Sequence, residues 1–141
     1  MARGPKPQRN PNRETTIEPK TSKSNNYNFD KSTPIFCLAH IVSGYCLSDL
    51  DTDKRAAFAL ALQQRCKMTW ADIKTAGRHK KGTELMPANK IKPSIPERFQ
   101  DADKFLVFRY SGMLPMLGVR INDVFHVLWI ESSYGQVYDH S

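Results

Sequence analysis

Residues 116–130, MLGVRINDVFHVLWI, predict the β-hairpin at the centre of the fold. Branched and aromatic side chains dominate residues 116–121 and 124–130, a composition typical of β-strands. Asn122 and Asp123 between these two segments suit a two-residue turn. A turn of that length also fixes which residues of the two strands lie opposite each other.

This register sorts the hairpin side chains onto two faces, because side chains alternate along a strand. The predicted pairs are Ile121 with Val124, Arg120 with Phe125, and Val119 with His126. One face is almost purely aliphatic, and we expect it to pack on helices, with His126 as a structural member; it comprises Leu117, Val119, Ile121, Val124, His126, Leu128 and Ile130. The other face is expected to be open and comprises Arg120, Phe125, Val127 and Trp129. Arginine among aromatic side chains suits phosphate pairing and base stacking.

Two further segments extend the predicted sheet. Residues 104–110, KFLVFRY, have the composition of a strand and place Arg109 on a similarly mixed surface. The apolar run at residues 35–42 predicts another strand or a buried helical turn. We interpret His40 within this run as a histidine of the core or of the sheet edge.

Two helices are predicted before the sheet. The segment that begins at Ser48 carries acidic residues at its start and an apolar stripe of Phe58, Leu62 and Cys66, which predicts a helix of about four turns. A shorter helix follows, with Thr69 and Asp72 as a capping box, Trp70 and Ile73 toward the core, and Gly77 at its end. The elements together predict an α+β fold in which a small antiparallel or mixed sheet packs on a two-helix hairpin.

The N-terminal residues differ in composition from the rest of the chain. Residues 1–34 contain five of the nine prolines and few apolar side chains, so we predict a flexible basic tail at 1–33 and one folded domain at 34–141. The formal net charge of +7 favours a polyanionic partner, with nucleic acid first and an acidic membrane surface second. The tail itself is either a solvated leader or a basic arm that attracts RNA or DNA.

Several classes of protein are disfavoured by the sequence. The chain begins without an apolar leader and has no run long enough to span a membrane, so we expect a cytoplasmic protein with no membrane partner. Cys37 and Cys66 lie in apolar surroundings and are interpreted as reduced, buried cysteines, and we predict no cofactor and no metal site. The acidic residues are dispersed, which argues against a two-metal nuclease.

The most basic part of the predicted domain is a loop. Residues 74–92 contain six lysines and arginines and one acidic residue, Glu84. A solvated loop and a phosphate-binding loop both fit this composition. The candidate phosphate-binding side chains are Arg78, His79, Lys80 and Lys81.

The C-terminal residues QVYDHS, 136–141, supply groups that transfer protons. If residues 132–135 form a turn and the chain returns as a strand, Tyr138 lies opposite Trp129 and His140 opposite Val127. Tyr138 and His140 then share the open face with Arg120. RNA cleavage without a metal ion requires a base for the 2′-hydroxyl, an acid for the leaving oxygen and cations near the phosphate, which these residues supply.

The order of elements and the segments VFRYSG, GVR, FHVLWIE and VYDH resemble the RelE/ParE toxin superfamily over residues 33–141. The resemblance implies a metal-independent mRNA interferase that acts on the ribosome and is neutralised by a cognate antitoxin. It implies Arg120 and Arg109 as phosphate-stabilising residues, and Tyr138 and His140 as an aromatic and acid–base pair. Lys80 and Lys81 would bind RNA, as would Trp129, whereas Glu131 is either a base or a solvated carboxylate at a strand end.

Two other functions remain open. A non-catalytic nucleic-acid-binding module would use the basic loop and tail alone. A ParE-type toxin would act on gyrase and would not need the terminal tyrosine and histidine.

Overall fold

The computed structural model describes residues 27–76 and 82–140, which form an α+β fold with a five-stranded mixed sheet and two α-helices. The helices pack on one face of the sheet, called here the helix face. The other face, called the loop face, is covered by irregular segments within residues 88–102 and 131–138. In chain order the elements are β1 Ile35–Cys37, α1 Thr52–Arg65, α2 Trp70–Ala76, β2 Thr83–Pro87, β3 Lys104–Ser111, β4 Leu114–Ile121 and β5 Val124–Ile130.

The strand order in the sheet is β1-β5-β4-β3-β2. Strand β1 pairs with β5 in the parallel direction, and the other neighbours are antiparallel. The central hairpin has the predicted register: Ile121 pairs with Val124, Arg120 with Phe125, and Val119 with His126. Asn122 in the turn has φ 59°, a left-handed conformation that asparagine tolerates better than most residues.

The hairpin contains a β-bulge that the alternation pattern does not predict. Gly118 pairs with Val127 and Leu117 with Trp129, so Leu128 is an extra residue in β5. Leu128 and Trp129 consequently both pack on the loop face. A Cβ atom on Gly118 would lie 1.9 Å from the carbonyl oxygen of His126, so the close approach at the bulge requires glycine.

The predicted assignment of the two hairpin faces is wrong for β4 and for β5 up to the bulge. Phe125 and Val127 pack against the helices, whereas Leu117 and Leu128 lie on the loop face. Beyond the bulge, Trp129 lies on the face away from the helices, as predicted, but that face is covered. Of the aliphatic set expected under the helices, only Ile130 belongs to the core cluster that includes Phe58 of α1 and Trp70 of α2. The pattern was not decisive because both faces of the sheet are covered, so neither carries the polar side chains of a solvated face.

Helix α1 begins after Asp51, whose carboxylate accepts the backbone N–H of Lys54. Its 14 residues match the predicted four turns, but its buried side chains are Phe58, Ala61 and Arg65. Cys66 is exposed and Cys37 only partly buried, which corrects the expectation that both thiols are buried.

Helix α2 has the predicted capping box. The Thr69 hydroxyl accepts the N–H of Asp72, and the Asp72 carboxylate accepts the N–H of Thr69, both at 3.1 Å. Trp70 and Ile73 are buried as predicted. The predicted end at Gly77 lies outside the described residues.

Strand β2 lies inside the segment predicted as a basic loop. It pairs with β3 at the edge of the sheet, where Pro87 at its end is tolerated. At the other end of the domain, residues 27–33 were predicted as tail, yet Phe29–Lys31 form a 3₁₀ turn and the Ser32 carbonyl accepts the N–H of Trp70. The structure of the domain thus starts before residue 34. Within the described residues, no helix is long and apolar enough to span a membrane.

Candidate active site

The segment after β5 covers the loop face without forming a strand. Among the described residues no strand follows Ile130, so the predicted return strand is wrong. Val137 is fully buried, and Tyr138 packs in the same cluster as Trp129. The backbone N–H of Lys92 donates to the carbonyl of Val137 at 2.7 Å, which fixes the segment to the neighbouring loop.

Glu131 holds this segment in place from inside the protein. Its side chain is fully buried, which excludes the second of the two predicted roles, a solvated carboxylate. Oε2 accepts the backbone N–H of Val137 at 2.8 Å, and Oε1 lies 2.8 Å from Nε2 of His140. A buried carboxylate requires such partners, because an unpaired one would lose its hydration without compensation.

His140 is oriented by Glu131 and by two aromatic rings. It stacks on Tyr138 with ring centroids 4.3 Å apart, and Tyr134 contacts it edge-on at 5.3 Å. An ionised carboxylate only accepts hydrogen bonds, so beside an ionised Glu131 the donor is Nε2 of His140, and in a neutral imidazole Nδ1 is then the acceptor atom. This arrangement of a carboxylate behind an imidazole is typical of histidines that act as general bases.

Arg109 lies next to this pair and comes from β3. Its Nη2 is 2.6 Å from Oε2 of Glu84, and its Nη1 donates to the Tyr138 hydroxyl at 3.1 Å and to the Met113 carbonyl at 2.8 Å. The register of β2 and β3 places Glu84 opposite Val107, so Glu84 and Arg109 share the loop face. The planar guanidinium is thus held in a fixed orientation by three groups.

Tyr138 connects the ion pair of Arg109 and Glu84 with the imidazole of His140. Its hydroxyl accepts from Arg109 and donates to Glu84 at 3.4 Å. Burial raises the pKa of Tyr138 to about 12; Arg109 opposes this shift, and the charge of Glu84 adds to it. The hydroxyl therefore stays protonated at neutral pH and acts as a donor.

These side chains line one cavity of about 250 Å³. Its lining residues are Glu84, Met86, Arg109, Met113, Tyr138, Asp139 and His140. At the rim, Lys92 pairs with the exposed carboxylate of Asp139 at 2.7 Å. The cavity therefore combines a fixed cation, a neutral phenol and an oriented imidazole, which suits acid–base chemistry at a phosphate.

Arg65 of α1 supports the site from behind and was not singled out in the sequence. Its Nη2 donates to the carbonyl of Arg109 at 2.9 Å, and its guanidinium carbon lies 5.2 Å from the Phe108 ring centroid. Burial lowers the pKa of Arg65 to about 10, so it remains charged at neutral pH. The sequence offered one signal for this role: Arg65 follows Phe58 by seven residues, which places it on the same face of the helix.

Arg120 does not join the cavity, and its predicted convergence with Tyr138 and His140 is wrong. It lies on the helix face, 4.4 Å from the Trp70 ring centroid, and forms an ion pair with Asp30 at 2.9 Å. The Lys74 ammonium and then Arg120 hold the pKa of Asp30 below its usual value. The bulge does not change this placement, because Arg120 lies between the bulge and the turn, where the predicted pairing with Phe125 holds.

The remaining predicted binding residues have two different outcomes. Trp129 is fully buried and packs edge-on against Phe105, so it offers no surface on which a base can stack. The four candidate residues of the basic loop lie outside the described residues: Arg78, His79, Lys80 and Lys81.

A second group of reactive side chains lies on the loop face near β1. Cys37 and His126 are paired in the parallel ladder, and His40 follows Cys37 by three residues. One ligand atom from each of Cys37, His40 and His126 lies within 4.8 Å of the others. The Cys-x₂-His spacing was visible in the sequence, but the third member, 86 positions beyond His40, was not.

At a significant level, the chain matches no protein-family model, no curated protein and no solved structure. The functional assignment therefore rests on the geometry of the cavity.

Proposed function

We propose that the chain is an endoribonuclease that cleaves mRNA by attack of a ribose 2′-hydroxyl, with Arg109, Tyr138 and His140 as its catalytic residues. The observation that carries the proposal is the cavity that these three side chains line together. Arg109 stabilises the charge that develops on the phosphate, so the reaction needs no metal ion. The net charge of +7 favours the approach of RNA.

The proposed reaction begins when the 2′-oxygen attacks the adjacent phosphorus. The proton of the 2′-hydroxyl moves to Nδ1 of His140, whose imidazole is held by Glu131. The P–O5′ bond breaks, and the Tyr138 hydroxyl donates its proton to the departing O5′. The products are a 2′,3′-cyclic phosphate and a 5′-hydroxyl, and a water molecule returns the proton from His140 to Tyr138.

The ion pair between Arg109 and Glu84 bears directly on this proposal. Glu84 occupies Nη2 of Arg109, whereas the incoming phosphate carries oxygens that suit the same guanidinium. Nη2 carries two N–H groups, so one can keep its contact with Glu84 while the other donates to a phosphate oxygen. Glu84 holds the side chain in the orientation that the phosphate meets.

The same ion pair favours a second candidate function, a nucleic-acid-binding module without catalysis. Arg109 is only 8 % exposed and already neutralised by Glu84, which is also typical of a structural ion pair. In that case RNA would bind through exposed lysines and arginines elsewhere, and the cavity would contribute only stability.

The resemblance to RelE-type toxins extends the proposal to partners and location. The substrate would be mRNA in the ribosomal A site, the inhibitor a cognate antitoxin, and the compartment the cytoplasm. The ParE-type alternative is a protein contact with gyrase. Growth arrest with intact mRNA and with trapped gyrase–DNA complexes would favour that alternative.

The test uses purified full-length chain, a labelled RNA, and the same RNA with 2′-deoxyribose at the cut position, all in the presence of a chelator. We expect cleavage of the RNA to a 2′,3′-cyclic phosphate and no cleavage of the deoxy substrate. His140→Ala should abolish cleavage, while Arg55→Lys, an exposed arginine on α1, should not. Equal RNA affinity in all variants without any cleavage, on free RNA and on programmed ribosomes, would establish the binding module instead.

A further inference from the structure

Three side chains with metal-ligating atoms meet on the loop face, away from the proposed cavity. Cys37 ends β1, His126 lies beside it on β5, and His40 lies in the turn that follows β1. The parallel pairing of β1 with β5 fixes Cys37 next to His126, and the turn brings His40 back to them. His126 and Glu131 are five residues apart on and just beyond β5, roughly 15 Å, so the two sites are separate.

The imidazole of His126 supplies an independent sign of a missing partner. Its Nδ1 is buried and has no hydrogen-bond partner among the described residues. A buried polar atom without a partner costs free energy, and most such atoms in folded proteins are satisfied by protein, water or an ion. A metal ion at the centre of the group would satisfy this nitrogen.

The group has an apolar wall on one side and is open to solvent on the other. Phe99 contacts both imidazoles, with centroids 5.4 Å from His40 and 5.6 Å from His126, and forms an apolar wall. Cys37 and His40 are only partly buried, which gives an ion access from solvent.

We propose that Cys37, His40 and His126 bind one Zn²⁺ ion, with the fourth coordination position open to water. One thiolate and two imidazoles are ligands that Zn²⁺ prefers, whereas Mg²⁺ and Ca²⁺ prefer oxygen. Ligand atoms around tetrahedral zinc lie about 3.4 Å apart, so the group contracts from its present 4.8 Å limit. Rotation of the partly buried Cys37 and His40 side chains provides that movement.

Binding has two consequences for the chain. The Cys37 thiol loses its proton, and zinc bound to the thiolate and two imidazoles forms a cross-link between β1 and β5. Strand β1 is only three residues long and pairs with β5 alone at the sheet edge, so this link adds to a short ladder of three residue pairs. The guanidinium carbon of Arg98 lies 5.9 Å from the ring centroid of Phe99, and its charge opposes cation binding, so Arg98→Gln should tighten Zn²⁺ binding.

The first experiment titrates untagged, reduced, chelator-treated full-length chain with Co²⁺ and then Zn²⁺. We expect a cobalt–thiolate absorption band that saturates at one ion per chain and disappears when Zn²⁺ displaces Co²⁺. Cys37→Ser should remove the band, and His126→Gln should weaken Zn²⁺ binding by about a hundredfold or more. Cys66→Ser and Cys46→Ser are matched controls, because they remove thiols outside the group.

Thermal unfolding provides the second readout and controls for misfolding. The melting temperature should rise with Zn²⁺ concentration in the unmodified chain and in Cys66→Ser, but not in Cys37→Ser or His40→Ala. The circular dichroism of each variant without metal should match that of the unmodified chain. Zinc binding that Cys37→Ser and His40→Ala leave unchanged, or a cobalt complex without a thiolate band, would overturn the proposal.

Discussion

The buried carboxylate of Glu131 lies 2.8 Å from Nε2 of His140, nine residues later in the chain, while its other oxygen accepts the N–H of Val137. One side chain therefore holds the C-terminal segment in its fold and also selects the tautomer of a histidine in the cavity. Substitution of Glu131 by glutamine separates the structural role from the chemical one, because it affects stability and cleavage differently.

Glu131→Gln should leave the fold largely intact and reduce RNA cleavage by roughly a hundredfold or more. The glutamine oxygen can still accept the N–H of Val137, but its amide nitrogen donates to Nε2 of His140. The imidazole proton then moves to Nδ1, which can no longer act as a base. Single-turnover cleavage rates measured across pH would detect this loss.

Asp139→Asn is the matched control for Glu131→Gln. Asp139 is also an acid beside His140, but it is exposed and pairs with Lys92. We expect the cleavage rate of Asp139→Asn to stay within about threefold of that of the unmodified chain, since exposed ion pairs contribute little free energy. A parallel loss of activity in both variants would indicate a general electrostatic effect and not a tautomer effect.

Arg109→Lys should reduce both stability and cleavage. Lysine keeps the charge but cannot contact Glu84, Tyr138 and the Met113 carbonyl at once. We expect a loss of about 2 kcal/mol in the free energy of unfolding and a decrease in cleavage of about a hundredfold. Urea unfolding and cleavage rates on the same preparations separate the two effects; a stability loss with normal cleavage would favour the structural ion pair.

The sequence predicted the hairpin register because the turn chemistry at Asn122 and Asp123 is local. It did not predict the bulge at Leu128, since residues 127–130 are all apolar and nothing within β5 marks the extra residue. The signal lay across the ladder at Gly118, where the close approach of the His126 carbonyl excludes a side chain. Most hairpin side chains were assigned to the wrong faces because both faces of the sheet are buried, so the pattern of apolar residues does not distinguish them.

The candidate site was predictable only as far as local sequence features indicate it. Tyr138 and His140 are reactive residue types close together in sequence, and Arg109 is an arginine within a strand, so composition and pattern were sufficient to select three residues that line one cavity. The burial of Glu131 depends on partners that only the tertiary structure supplies, at Val137 and His140. Arg120 was assigned to the wrong face because both faces of the sheet are buried, and the return strand expected to bring Tyr138 beside it does not form.

Gly118→Ala should destabilise the protein by about 3 kcal/mol or more, because the new Cβ would lie 1.9 Å from a backbone oxygen. The strands would have to separate at the bulge, since a carbonyl group of β5 cannot rotate away independently. Gly112→Ala is the comparison: Gly112 has φ 58° and open space around it, so its cost is about 1 kcal/mol. Urea unfolding of both variants measures the difference, and equal losses would mean that backbone conformation and not the close contact determines the cost.

Arg120→Ala should lower stability without lowering cleavage. The substitution removes the contact with Trp70 and the ion pair with Asp30, which together contribute about 1 kcal/mol. Because Arg120 lies on the helix face, opposite the cavity, we expect an unchanged cleavage rate at a temperature where the variant is folded. A large loss of cleavage in the folded variant would contradict the separation of the two sites.

Tyr110 should make the protein sensitive to alkali. Its hydroxyl donates to the Glu131 carbonyl, and burial, followed by the charges of Asp51 and Glu131, raises its pKa to about 12. A raised pKa means that the folded state binds this proton more tightly than the unfolded state, so the stabilisation is complete below pH 10 and is lost as the pH rises through 12. A shift of this size corresponds to a loss of at most about 3 kcal/mol. In urea unfolding between pH 9 and 12, Tyr110→Phe should start less stable than the unmodified chain and lose less stability with rising pH; parallel curves would show that Tyr110 does not titrate on unfolding.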